Sequence, residues 1–157
     1  MKKGLFGLMV LLAIYACGNQ DGSKNQATTP EASQPAPSGA PGYDPKRGEG
    51  KFKDVVVDPK LNPSLAEAGN KVYGVKCSSC HKTTDEKLVG PGWKGVTTRR
   101  SAAWIMNFIT NTDEMITKDP EAQAQLEICL VRMPNQNLSD DDAKSLYEFM
   151  RKIDGVQ

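Results

Sequence analysis

The residues best suited to chemistry lie in one short segment, Cys77-Ser78-Ser79-Cys80-His81, which holds the chain's only histidine. Two thiols separated by two residues can each bond to one vinyl group of a haem, while the imidazole of the next residue binds the iron. A zinc site would have to recruit Cys129, because no second histidine exists, and a Cys77–Cys80 disulfide is the other alternative. The spacing favours one covalently bound haem c over both.

The N-terminus has the pattern of an export signal. Lys2 and Lys3 precede an apolar run from Leu5 to Ala16, which is the arrangement of a secretory signal peptide. The run is well short of the roughly 20 apolar residues that a membrane-spanning helix needs. We therefore predict a signal peptide over residues 1–16 and an exported protein. In an exported protein, paired cysteines are less expected to form the zinc-binding or redox motifs of cytosolic proteins.

The end of the apolar run, Ile14-Tyr15-Ala16-Cys17-Gly18, resembles the lipobox of bacterial lipoproteins. This resemblance implies lipidation of Cys17, which would become the first residue of the mature protein. Several acyl chains would then anchor the protein to a bacterial cell membrane, facing the periplasm or the cell exterior, since each buried methylene contributes about 0.8 kcal/mol. A conventional signal peptide that happens to contain a cysteine is the alternative.

The segment after Cys17 is rich in Ser, Thr, Gln, Ala, Pro and Gly. Such a composition cannot bury enough apolar surface to offset the entropy of ordering the chain. We predict a lipid-anchored flexible linker over residues 17–50 and a single folded domain over residues 51–157. The chain has 20 Lys+Arg and 19 Asp+Glu, so it lacks the basic excess of a nucleic-acid-binding protein.

Four helices are predicted in the folded domain. Their capping and starting residues are, in chain order, Asn62-Pro63, Ser101, Asp119-Pro120 and Ser139. The first helix runs into Cys77, the third reaches about Val131, and residues 82–98 have little regular structure. No segment shows the sustained alternation of a strand, so the predicted fold class is all-α.

Residues from about Val55 to Ile153 resemble a class I monohaem cytochrome c. The haem motif, the helix that leads into it and the terminal helix carry the resemblance. It implies a small helical fold around one covalent haem, in which the first and last helices cross and Gly69 allows their close approach. It also implies a monomeric electron carrier, not an enzyme, that exchanges electrons with redox partner proteins.

The same resemblance implies a methionine as the sixth iron ligand, in a loop before the terminal helix, where Met133-Pro134 lies. A thioether ligand favours ferrous iron and raises the reduction potential. Met106, Met115 and Met150 have the spacing of core residues. An open iron position remains an alternative, as in a haem enzyme or gas-binding protein, and so does a haem-bearing subunit of a respiratory complex.

Supporting roles follow by position in the same family. The backbone carbonyl of Pro91 is expected to accept the Nδ1 proton of His81 and so fix its tautomer. Arg99, Arg100 and Trp104 are candidates for hydrogen bonds to the haem propionates. Cys129 has no evident partner and is expected to be a buried, inert thiol.

A narrower resemblance connects the chain to cytochrome c lipoproteins that are encoded beside nitrous oxide reductase. It is carried by the segments Val89-Gly90-Pro91, Gly95-Val96-Thr97-Thr98-Arg99-Arg100-Ser101, Trp104-Ile105-Met106-Asn107 and Asn135-Gln136-Asn137-Leu138. The resemblance implies nitrous oxide reductase as the electron acceptor, with another exported reductase or oxidase as the alternative.

Overall fold

The computed structural model describes residues 42–157, and over this range it is helical. No strand forms in these residues, apart from one isolated antiparallel bridge between His81 and Lys87, so the predicted all-α class is confirmed. None of the described helices is long and apolar enough to cross a membrane. The helices are α1 Pro63–Lys76, α2 Val96–Arg99, α3 Ala102–Thr110, α4 Thr112–Lys118, α5 Pro120–Cys129 and α6 Asp140–Ile153.

The crossing of α1 and α6 is the main contact of the fold. Gly69 of α1 lies directly against the backbone of Ser145 in α6, and a Cβ at position 69 would clash with the Ser145 carbonyl. The two helices therefore meet backbone to backbone, as the resemblance implied. Their starts match the predicted caps, since Asn62 Oδ1 accepts from Leu65 N and Ser139 forms a capping box with Asp142.

A buried ion pair fixes the segment before α1 to α6. Arg151 donates to both carboxylate oxygens of Glu148, at 3.0 and 2.9 Å. The same guanidinium donates to the carbonyls of Asp58 and Pro59, while Glu148 accepts from the backbone N–H of Asn62. Because no buried side-chain polar atom among the described residues lacks a hydrogen-bond partner, the pair can be buried without leaving an uncompensated charge.

The region between α1 and α6 is more helical than predicted. The predicted helix that begins after Ser101 ends at Thr110, and a separate helix, α4, begins at Thr112, because Asn111 leaves the helical conformation (φ −138°, ψ 46°). Helix α5 ends at Cys129 rather than near Val131, since Leu130 adopts a left-handed conformation (φ 59°). The short helix α2 also forms inside the predicted loop of residues 82–98.

Contacts with the helical domain are described from Tyr43 onward, within the last residues of the predicted linker of residues 17–50. The Tyr43 hydroxyl donates to Asp119, and the backbone N–H of Glu49 donates to the sulfur of Met115 at 2.9 Å. The buried Asn107 amide donates to the carbonyl of Arg47 at 3.0 Å. These side-chain partners satisfy the segment's backbone polar groups and hold it in place. The predicted signal peptide, Cys17 and the linker up to residue 41 lie outside the described residues.

The close crossing makes a specific prediction for Gly69. We expect Gly69→Val to lower the free energy of unfolding of the haem-loaded protein by more than about 3 kcal/mol, because its side chain would have to displace the backbone of α6. Denaturant unfolding measures this directly. Gly74→Ala is the matched control in the same helix: a Cβ at position 74 meets nothing within 4 Å, and the change should be neutral or stabilising by up to about 1 kcal/mol. Equal midpoints for the two variants would contradict the crossing.

Candidate functional site

The haem motif forms a tight turn at the end of α1. The backbone N–H of Cys77 still bonds to Tyr73 O at 2.9 Å, and the N–H groups of Cys80 and His81 both bond to Cys77 O. This turn brings the two thiols and the imidazole together at one end of the helix. As a free thiol, before any haem is attached, Cys77 has a pKa that burial raises to about 11, an effect that outweighs the charge of nearby Lys76.

His81 is held in the orientation that metal binding requires. Its Nδ1 lies 2.9 Å from the carbonyl of Pro91, as predicted. Because a carbonyl can only accept, Nδ1 carries the proton and Nε2 keeps its lone pair for a metal. Burial lowers the pKa of His81, opposed by the hydrogen bond to Pro91, which favours the neutral imidazole that binds iron. Gly90 lies so close to the ring that any Cβ at this position would displace it.

Cys80 and His81 face a cavity of about 550 Å³. Pockets that hold small organic ligands usually measure about 300–1,000 Å³. Aromatic and aliphatic side chains form most of its wall, including Trp93, Val96, Trp104, Ile105, Phe108, Ile109, Ile116 and Leu126. The cysteine thiols and the His81 imidazole, the apolar wall, and Gly90 beside the imidazole are all compatible with a flat, largely apolar macrocycle whose iron binds His81.

The cavity separates the four described methionines into two groups. Met133 and Met150 line it. Met115 is fully buried and its sulfur accepts the Glu49 N–H, and Met106 lines a different cavity beside the segment before α1. Met115 and Met106 are therefore core residues, as predicted. Met133 lies in the loop after α5, whereas Met150 is packed into the core from α6.

The two alternatives for the cysteines gain no support from the described residues. No group of three or more His, Cys, Asp or Glu side chains in residues 42–157 is arranged to hold a metal ion. Cys77, Cys80 and Cys129 each lack a disulfide partner among the same residues.

Comparison with known proteins identifies the family to which this helical fold belongs. The cytochrome c family matches residues 66–154, which is more than half of the chain. The chain belongs to the cytochrome c family. It therefore carries one covalently bound c-type haem and is a haem-based electron carrier.

Solved structures agree with this assignment. Cytochrome c from Rhodothermus marinus is 28% identical, with a TM-score of 0.65, over 67% of this chain and 90% of that one. An engineered form of the Rhodothermus marinus protein, bound to a carbene intermediate, has the same identity and coverage with a TM-score of 0.61. None of the curated proteins searched matches the chain.

Three residues of the cytochrome were predicted to form hydrogen bonds to the haem propionates, and the structure gives each of them different surroundings. Arg99 lines the cavity and donates to the carbonyl of Lys94 at 2.8 Å, which leaves other guanidinium donors for a propionate. Arg100 pairs with Glu121 and stacks over Trp104 at 4.8 Å. The only donor of the Trp104 side chain, its indole N–H, is already bonded to Asp119 at 2.8 Å. Trp104 therefore forms part of the cavity wall and does not offer its N–H to a propionate.

Two residues near the cytochrome's cavity depart from the sequence interpretation. Cys129 is half-buried and lines the cavity, whereas a fully buried thiol was expected. Asp119 was predicted only as the cap of α5, yet its carboxylate is fully buried and binds Tyr43 and Trp104 as well as Ala122 N. The sequence gives no local signal for these longer contacts, because Tyr43 and Asp119 are far apart along the chain.

Proposed function

We propose that this cytochrome is a one-electron carrier in which Cys77 and Cys80 attach the haem while His81 and Met133 bind its iron. The observation that carries the proposal is the joint placement of an oriented His81 and of Met133 on one apolar cavity. The haem supplies the ferric–ferrous couple, and no substrate needs to bond to the iron. The protein is thus proposed to be an electron-transfer protein and not an enzyme.

The surrounding residues have separable roles in this proposal. The Pro91 carbonyl fixes the tautomer of His81 and raises its basicity as a ligand. Met133 supplies a thioether, which favours ferrous iron. Trp93, Trp104 and Phe108 line the cavity with apolar surface, which would reduce solvent access to a bound haem. Arg99 is placed to bind a propionate.

A haem enzyme with an open sixth position is the second candidate. The observation that favours it is the engineered Rhodothermus marinus relative bound to a carbene intermediate. The presence of Met133 on the cavity favours electron transfer for this chain.

The proposed docking surface is an apolar rim beside the cavity, composed of Leu88, Val89, Ile128, Leu130 and Val131, all of which are exposed. Lys87 Nζ donates to the Ile128 carbonyl at 2.7 Å and so joins the two segments of the rim. Lys87, Val89, Ile128 and Val131 also line the cavity. A redox protein that covered this rim would approach the haem closely, and we propose nitrous oxide reductase as that partner on the basis of the sequence resemblance.

We also propose that the protein is exported and lipid-anchored through Cys17. The apolar run of residues 5–16 and the cysteine that follows it support this proposal. A lipid anchor would keep the carrier at the membrane surface while leaving its folded domain available to partners.

The ligand assignment is tested with carbon monoxide. We expect the reduced native protein to be low-spin and not to bind carbon monoxide, and Met133→Leu to bind it, because leucine cannot ligate iron. Met150→Leu and Met106→Leu are volume-matched controls that should behave like the native protein. Absorption spectra with and without carbon monoxide provide the measurement. Ready binding by the native protein would instead favour the enzyme or gas-binding alternative.

The docking proposal predicts slower electron transfer when a charge is placed on the apolar rim. Leu130 is 85% exposed, so Leu130→Glu should fold normally yet reduce the second-order rate of electron transfer to nitrous oxide reductase by about tenfold or more, since a desolvated charge opposes docking. Stopped-flow mixing gives this rate. Val56→Glu is the control, because Val56 is 96% exposed beside the other cavity. Equal rates for both variants would exclude this docking surface, and a native protein inactive with the reductase would exclude that partner.

The anchor proposal predicts a change of location for Cys17→Ser. Without an acylated cysteine the haem-loaded protein should move from the membrane fraction to the soluble exported fraction, because acyl burial is its main membrane contact. Fractionation followed by haem staining measures this shift. Cys129→Ser serves as the control for loss of a cysteine and should stay in the membrane fraction. Retention in the membrane of Cys17→Ser protein from which residues 1–16 have been removed would rule out the lipid anchor.

A further inference from the structure

Asp119 is a fully buried carboxylate that receives three hydrogen bonds. Its Oδ1 accepts from Ala122 N at 2.7 Å, and its Oδ2 accepts from the Trp104 indole at 2.8 Å and from the Tyr43 hydroxyl. The two N–H groups can only donate, so both oxygens act as acceptors, which is the pattern of an ionised carboxylate. Asp119 forms no ion pair with any residue in 42–157.

This charge lies directly behind the wall of the haem cavity. Trp104 and Ala122, which both bond to Asp119, also line that cavity. One layer of protein therefore separates the carboxylate from the cavity, and the carboxylate itself has no exposure to water. In such surroundings a charge acts over a longer distance than it would at the surface.

The role of Asp119 as the cap of α5 does not explain why a charged residue is there. Asparagine caps helices about as well as aspartate. A buried carboxylate without a counter-ion is costly unless its hydrogen bonds compensate for it. Hydrogen bonds from two aromatic side chains of different segments, Tyr43 and Trp104, stabilise the buried charge.

We propose that Asp119 is a fixed negative charge that lowers the reduction potential of the haem, and that the Tyr43 hydroxyl attenuates its field. The inference rests on the proposed function, in that the cavity must hold the haem. Ferric haem carries one more positive charge than ferrous haem, so a nearby carboxylate stabilises the ferric form. The Tyr43 dipole points its proton at the carboxylate and offsets part of this effect.

The N-terminal segment makes this arrangement possible. Lys46 O accepts from Ser101 Oγ, and Gly48 lies against Trp104 and Met115 without room for a Cβ. Burial and the adjacent Asp119 both raise the pKa of Tyr43, so its hydroxyl keeps its proton across the physiological range. Tyr43 therefore acts as a lasting donor and not as a titrating group.

The experiment measures midpoint potentials of the full haem-loaded protein by spectroelectrochemical titration. We expect Asp119→Asn to raise the potential, equivalent to an increase on the order of tenfold in the equilibrium constant for reduction. Asp119→Glu keeps the charge while disturbing the packing, and should retain most of the native potential. Asp141→Asn removes a carboxylate whose side chain is 96% exposed and should leave the potential unchanged because water screens it.

Equal shifts in Asp119→Asn and Asp119→Glu, or an unchanged potential in Asp119→Asn, would overturn the proposal, since either result would mean that the charge is not responsible. If Asp119→Asn fails to fold, Tyr43→Phe decides. A lowered potential with an unchanged carbon monoxide response supports the inference, and an unchanged or raised potential overturns it. A native protein that lacks low-spin haem would overturn the proposed function itself, whereas a low-spin native protein with an unshifted Asp119→Asn contradicts only the role of Asp119.

Discussion

The rest of the structure depends on the close approach of α1 and α6 at Gly69. Because the haem motif begins where α1 ends, the angle at which the two helices cross determines where Cys77, Cys80 and His81 lie. The opposite helix contributes Met150 to the same cavity. A backbone-to-backbone contact is well suited to this purpose, since it cannot be adjusted by a change of side-chain rotamer. The haem site is thus positioned by the least adjustable contact in the fold.

Sequence reasoning succeeded where structure is determined locally. The caps at Asn62, Ser101 and Ser139 are each followed by the predicted helix, because the side chain that ends the loop bonds to the backbone N–H three residues later. The contact between His81 and Pro91 was also predictable, since it came with the family resemblance and spans few residues. Local capping interactions and the family resemblance together were sufficient to predict most of the haem motif and the all-α fold class of the protein.

The failures of prediction involve long-range contacts. Residues 43–50 have a composition typical of a linker, yet they are ordered by Asn107, Met115 and Asp119, which lie far along the chain. The break between α3 and α4 has no strong signal in the sequence either, since Asn111 alone separates two helical patterns. Trp104 was interpreted as a propionate ligand because indole donors favour carboxylates. It does bind a carboxylate, but that carboxylate belongs to Asp119.

Charged residues on the surface of this cytochrome and the buried carboxylate in its interior have different effects. On the surface, Lys82, Arg100 and Arg132 each pair with a neighbouring acid, and the chain has a formal net charge of only +1. A nearly neutral chain exerts little long-range attraction, which is consistent with the proposal that partners dock on the apolar rim beside the cavity. Inside the protein, Asp119 is shielded from water and forms no ion pair within residues 42–157. In the proposed role, salt would screen this buried charge much less than a surface charge, so a nearly neutral surface can coexist with a charge that acts on the haem.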